Sequence, residues 1–111
     1  MSDPFVTEFL VESIRNYEVA KAHGWWEGKI NDGEKIALIH SELSEALEAL
    51  RQGNPPDSHI PKFSSLEAEL ADVMIRVMDY AVYRNLRVAE AIQAKREYNA
   101  TREFKHGGKL F

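Results

Sequence analysis

The chain contains no cysteine, which excludes a disulfide framework and thiolate chemistry and is compatible with a reducing compartment. No apolar run approaches the ~20 residues that a membrane-spanning helix needs, so no membrane partner is expected. No stretch alternates apolar and polar residues long enough to read as a strand. No segment repeats at a period of about 20–50 residues. The opening "MSDPFVTEFL" lacks a basic segment followed by an apolar one, so no secretory signal is read and a cytoplasmic location is expected. Basic excess is missing too: 14 Lys and Arg stand against 18 Asp and Glu, a net charge of -4. A general binder of nucleic-acid polymers carries the opposite balance.

The 111 residues present fit one domain spanning 1–111, long enough to bury a core without staples. The pattern is all-α and four-helix bundle-like, with helices over about 4–21, 33–52, 64–84 and 87–100. Asp3 before Pro4 reads as an N-cap with proline at the first helical position. Asp32 reads as the cap of the second helix and Gly53 as its C-terminal glycine. Ser64 with Glu67 has the spacing of a capping box, and Asn85 suits a turn. The prolines of "NPPDSHIP" forbid helix between the second and third segments.

Two helices carry paired carboxylates at i, i+3: Glu42 with Glu45, and Glu69 with Asp72. On a wheel at ~100° per residue, Leu38, Ile39, Ala46 and Ala49 fall within about 60° of Glu42, with Glu45 at the rim of that stripe. On the third helix Glu69, Asp72, Arg76 and Asp79 form one polar strip between two apolar faces. An ionised carboxylate enclosed in this way costs several kcal/mol unless it protonates, pairs or binds a cation. Arg76 offsets one charge of four. A hard divalent ion resolves the rest, and Mg²⁺ suits a cradle of carboxylates that leaves room for water and phosphate. The plainer alternative is that both pairs are solvated helix faces. A di-iron carboxylate bundle fits poorly, because it wants Glu-x-x-His and His40 precedes Glu42 by two.

The end of the chain is basic. Lys95, Asn99 and Arg102 share a helical face, and Lys105, His106 and Lys109 follow around a Gly-Gly pair. Such a set can hold a polyphosphate, or it can be a solvated turn that complements the helix dipole. His23, Trp25 and Trp26 lie in a glycine-flanked loop, either as a stacking surface for a base or as a lid on the core. Lys35, about 20° from Glu42 on the wheel, is either its ionic partner or a phosphate contact.

"ELSEALEALRQG" followed by "EAELADVMIRVMDYA" resembles the E-x-x-E … E-x-x-D signature of the MazG-like, all-α nucleoside triphosphate pyrophosphohydrolases. The closing "KREYNATREFKHGGKLF" is similar to that family's last segment. The likeness runs from about Gly33 to the C-terminus. It implies hydrolysis of a (deoxy)nucleoside triphosphate between the α- and β-phosphates, with Mg²⁺ or Mn²⁺, in nucleotide house-cleaning by a homodimer or homotetramer. It implies Glu42, Glu45, Glu69 and Asp72 as metal ligands. Glu42 and Glu45 carry catalysis, with Glu45 either a ligand or the base that orients water. Lys95, Asn99, Arg102, Lys105 and His106 would neutralise the phosphates, with His23, Trp25, Trp26 and Lys35 lining the substrate site. Arg76 and Asp79 would steady the ligands. The third helix is apolar on nearly every side, which also points to a second subunit. The competing expectations are a non-catalytic nucleotide-sensing or protein-interaction module and a plain structural dimer.

Overall fold

The computed structural model describes residues 3–102. Four helices follow one another: α1 (Pro4–Ala22), α2 (Asp32–Arg51), α3 (Ser65–Arg84) and α4 (Val88–Ala100). Each start has a local cause. The Asp3 carboxylate accepts from the Phe5 and Val6 N–H groups at 2.9 and 3.3 Å, and Pro4 needs no such partner. The Ser64 and Glu67 side chains cap each other's backbone at the start of α3. Asn85 ends α3 in the left-handed region at φ 56°, which asparagine tolerates. No strand forms among the described residues; Pro56 and Ser64 make one isolated bridge in the loop between α2 and α3.

One cap differs from the expectation. Asn31, not Asp32, caps α2, accepting from the Glu34 N–H at 3.0 Å. Asp32 is engaged elsewhere: it accepts from the Tyr80 hydroxyl at 2.7 Å and from the Arg84 guanidinium at 2.8 and 3.0 Å. Those bonds tie the start of α2 to the end of α3. The guanidinium and the phenol hold the Asp32 carboxyl below its ordinary range. At the other end of α2, Asn54 (φ 52°) turns the chain and its side chain accepts from the Leu66 N–H at 2.8 Å.

α3 is the hub, packed along both α1 and α2, while α4 rests on α1 without comparable contact to the other two. The crossings are made by small residues: Ala20, Ala46, Ala49, Ala68, Ala81 and Ala89 are buried, with Trp26 the one large apolar residue among them. Alanines let helix axes approach closely but contribute little apolar area each. Among the described residues no large side chain is fully buried, and Leu43, Leu47, Leu50, Leu70, Met74 and Ile75 remain exposed. No helix is long and apolar enough to cross a membrane among the described residues.

Candidate metal centre

α2 and α3 bring their carboxylates together. Glu42 lies on the inner side of α2 near buried Ala46 and Ala49, its side chain 13% exposed. One carboxylate oxygen each from Glu42, Glu69 and Asp72 lie within 4.8 Å of one another. Oxygens bound to one Mg²⁺ ion stand about 3 Å apart when adjacent and about 4.2 Å apart when opposite, so the trio has to draw together for all three to hold one ion.

The electrostatics of the cluster are unfavourable as it stands. Glu69 Oε2 is shut off from solvent with no hydrogen-bond partner. Burial first, then the carboxyl of Glu45 beside it and the charges of Glu42 and Asp72, push the Glu69 pKa up to about 7. Burial and the Glu42 charge raise Asp72 as well, with Arg76 opposing. Among the described residues the one cation in direct contact is Arg76, whose Nε donates to Glu42 Oε1 at 3.0 Å. It leaves Glu45, Glu69 and Asp72 without an ionic partner of their own among the described residues. An orphaned, buried carboxylate oxygen inside a set of hard oxygen donors fits a divalent cation such as Mg²⁺ or Mn²⁺. Glu45 stands apart: it is exposed and meets the carboxyl of Glu69 from outside the trio.

The polar strip of α3 is open at one end and closed at the other. Asp72 is exposed, Glu69 and Arg76 half-buried, and Asp79 only 4% exposed. Desolvation raises the Asp79 pKa to about 6 against the attraction of Arg76 and Lys35. The Trp26 N–H faces this carboxylate and lowers its pKa, yet completes no hydrogen bond.

The aromatic loop divides in two. Trp26 is 9% exposed and stacks on Tyr83 at 4.3 Å and 15°, with the Lys35 ammonium 4.4 Å from its centroid. A ring so enclosed is a core element, the lid of the two roles open to it, and leaves little surface for a base. Trp25 stays exposed, with the Arg76 guanidinium 4.1 Å from its centroid. Lys35 is not the partner of Glu42; its Nζ donates to the Trp25 carbonyl at 2.8 Å. His23 ends α1, with Nδ1 2.8 Å from the Val19 carbonyl oxygen.

The described part of the basic face lies away from the helices that carry the cluster. Lys95, Asn99 and Arg102 are exposed on and just after α4, which packs on α1 rather than on the helices that carry the carboxylates. Lys95 and Arg102 lie over the Tyr98 ring at 4.9 and 5.8 Å. Lys105, His106 and Lys109 lie outside the described residues. Four residues absent from the expectation, Asn16, Val19, Ala20 and Ile75, join Trp25, Asp72, Arg76 and Asp79 around an open cavity of about 210 Å³. Asn16 lies on α1, outside the stretch that carries the family likeness, and no spacing rule marks it.

The chain matches no family model, no curated protein and no solved structure in the three comparisons made.

Proposed function

We propose that the chain is a Mg²⁺-dependent nucleoside triphosphate pyrophosphohydrolase of the MazG-like kind, cleaving the α–β phosphoanhydride to give the monophosphate and pyrophosphate. The observation that carries this reading is the convergence of Glu42, Glu69 and Asp72 within 4.8 Å around a buried, partnerless Glu69 oxygen. Those three residues would hold the ion. When bound, Mg²⁺ neutralises phosphoryl oxygens and makes the phosphorus more electrophilic.

The remaining roles fall to the chain's own groups. Glu45, outside the trio but against Glu69, accepts a proton from the attacking water. The water oxygen bonds to the α-phosphorus, and the bridging oxygen leaves with the β-phosphate as pyrophosphate. Arg76 keeps the Glu42 rotamer through its bond at 3.0 Å. Lys95, Asn99 and Arg102, joined by Lys105 and His106, neutralise the phosphates. Since α4 packs away from the carboxylates, a second copy of the chain brings this basic face to the site.

The surface of α2 supports assembly as a homodimer or homotetramer. Ile36, Leu43, Leu47 and Leu50 are spaced by seven, four and three residues and are each at least 43% exposed. That is the spacing of an apolar seam awaiting another helix. The role proposed for the reaction is house-cleaning of the nucleotide pool in the cytoplasm.

The test is incubation with Mg²⁺ and a panel of canonical and modified triphosphates, followed by product separation, beside Glu42→Gln. Monophosphate and pyrophosphate from the unaltered chain alone support the reading. Diphosphate and orthophosphate would overturn the bond assignment. Nucleotide binding without turnover would make the chain a sensing module.

A further inference from the structure

The cavity beside the carboxylate cluster has a chemistry of its own. Asp72, Arg76 and Asp79 follow at i, i+4 and i+7 along α3, so they share one side of the helix and all border the cavity. Two helical turns, about 10.5 Å, separate Asp72 at the metal end from Asp79 at the far end. That matches the reach of a nucleoside from its α-phosphate to the outer edge of its base. At about 210 Å³ the space suits a base better than a whole nucleotide.

Asp79 is the unusual group at the far end. It is 4% exposed; Arg76 and Lys35 attract it but bond to other groups, and the Trp26 N–H that faces it completes no hydrogen bond. Arg76 donates its Nε to Glu42, and Lys35 donates to the Trp25 carbonyl. A carboxylate accepts hydrogen bonds and donates none, so a buried one is stabilised by N–H groups brought to it. Asn16 also borders the cavity: its amide nitrogen donates one hydrogen to Met78 Sδ at 3.2 Å, which leaves its carbonyl oxygen and its second N–H. Trp25 and Ile75 supply the apolar lining a base needs.

We propose that this cavity seats the substrate base, with Asp79 accepting from an exocyclic amino group, so that amino-bearing bases are preferred over their oxo counterparts. Cytosine, adenine and guanine carry such a group. Uracil, thymine and hypoxanthine present a carbonyl oxygen where cytosine and adenine carry theirs, and a carboxylate repels it. This proposal rests on the pyrophosphohydrolase reading.

Two minimal pairs test it: the α,β-methylene analogues of dCTP and dUTP, and those of dATP and dITP. Each pair differs by one amino-to-oxo exchange. Calorimetry with Mg²⁺ measures the binding ratio for the unaltered chain, for Asp79→Asn and for Asp79→Glu. The expected ratio is at least tenfold for the amino member of one pair, falling to about one in Asp79→Asn, whose amide can serve either base. Asp79→Glu keeps the charge but displaces it, and should also lower the ratio. Equal affinities in the unaltered chain would overturn the base assignment alone. A ratio that survives both variants would remove Asp79 from it. Absence of binding by every analogue would overturn both this assignment and the pyrophosphohydrolase reading. The ratio of the unaltered chain decides the matter even if neither variant folds.

Discussion

Glu69→Gln should make the metal-free protein more stable. Glu69 has a pKa of about 7 against an ordinary 4.5, because burial and three neighbouring carboxylates disfavour its charge. Holding it ionised at pH 8 therefore costs on the order of 3 kcal/mol at most. Glutamine keeps the shape, removes the charge and can donate to Glu45. Allowing for partial relaxation, we expect about 1–3 kcal/mol of added stability in EDTA, or roughly 5–15 °C in Tm for a domain of this size. Mg²⁺ reverses the order. At a hundredfold excess over Kd it adds about 2.7 kcal/mol to the unaltered chain and little to the variant, which has lost a ligand. Paired melts at pH 8, with EDTA and with Mg²⁺ at one protein concentration, measure both effects. A variant that melts lower than the unaltered chain in EDTA would refute the reasoning. The Glu69 carboxylate would then be a stabilising group and not a strained one.

Other outcomes follow from the same physics. Arg76→Met removes the cation bonded to Glu42 and stacked on Trp25. It should cost about 1–3 kcal/mol without metal and less with saturating Mg²⁺, read by urea melts. Glu69 and Asp79 have raised pKa values of about 7 and about 6, so the folded state binds more protons than the unfolded one between about pH 4 and 7. Metal-free stability should therefore fall as pH rises through that window, and the Tm at pH 5.5 should exceed that at pH 8 in EDTA. Mg²⁺ should stabilise less as pH drops below about 7, because the ion then competes with the Glu69 proton. Leu43→Glu with Leu47→Lys should lower the oligomeric state seen by light scattering while leaving helix content by circular dichroism intact. Ser64→Ala removes the α3 cap and should cost about 1 kcal/mol in denaturant melts.

The four helices were legible because their signals are local. Asp3–Pro4, the Ser64–Glu67 pair and Asn85 each act within a few residues, and the structure uses each as the sequence indicates. Asp32 was misread because a capping residue and an ionic partner look alike in one dimension. The deciding contact, Arg84, lies 52 residues away. The inward turn of Glu42 followed from its helical phase, since Ala46 and Ala49 beside it are buried. Leu43 and Leu50, on the same helix, stay 46% and 53% exposed among the described residues. The two tryptophans could not be told apart from their order. What separates them is Tyr83 on α3, which closes one face of Trp26 and leaves Trp25 outside. The role of Arg76 was narrowed by distance alone: a wheel placed it near the carboxylates, and the fold selects Glu42.

The most direct test of the central claim is where a water oxygen ends up. Hydrolysis of a triphosphate by the unaltered chain in H₂¹⁸O with Mg²⁺, followed by mass spectrometry of the separated products, places the attacked phosphorus. The account predicts one ¹⁸O in the monophosphate, none in pyrophosphate, and no label incorporated by Glu42→Gln. Label in pyrophosphate or orthophosphate, or equal turnover by Glu42→Gln, would contradict it.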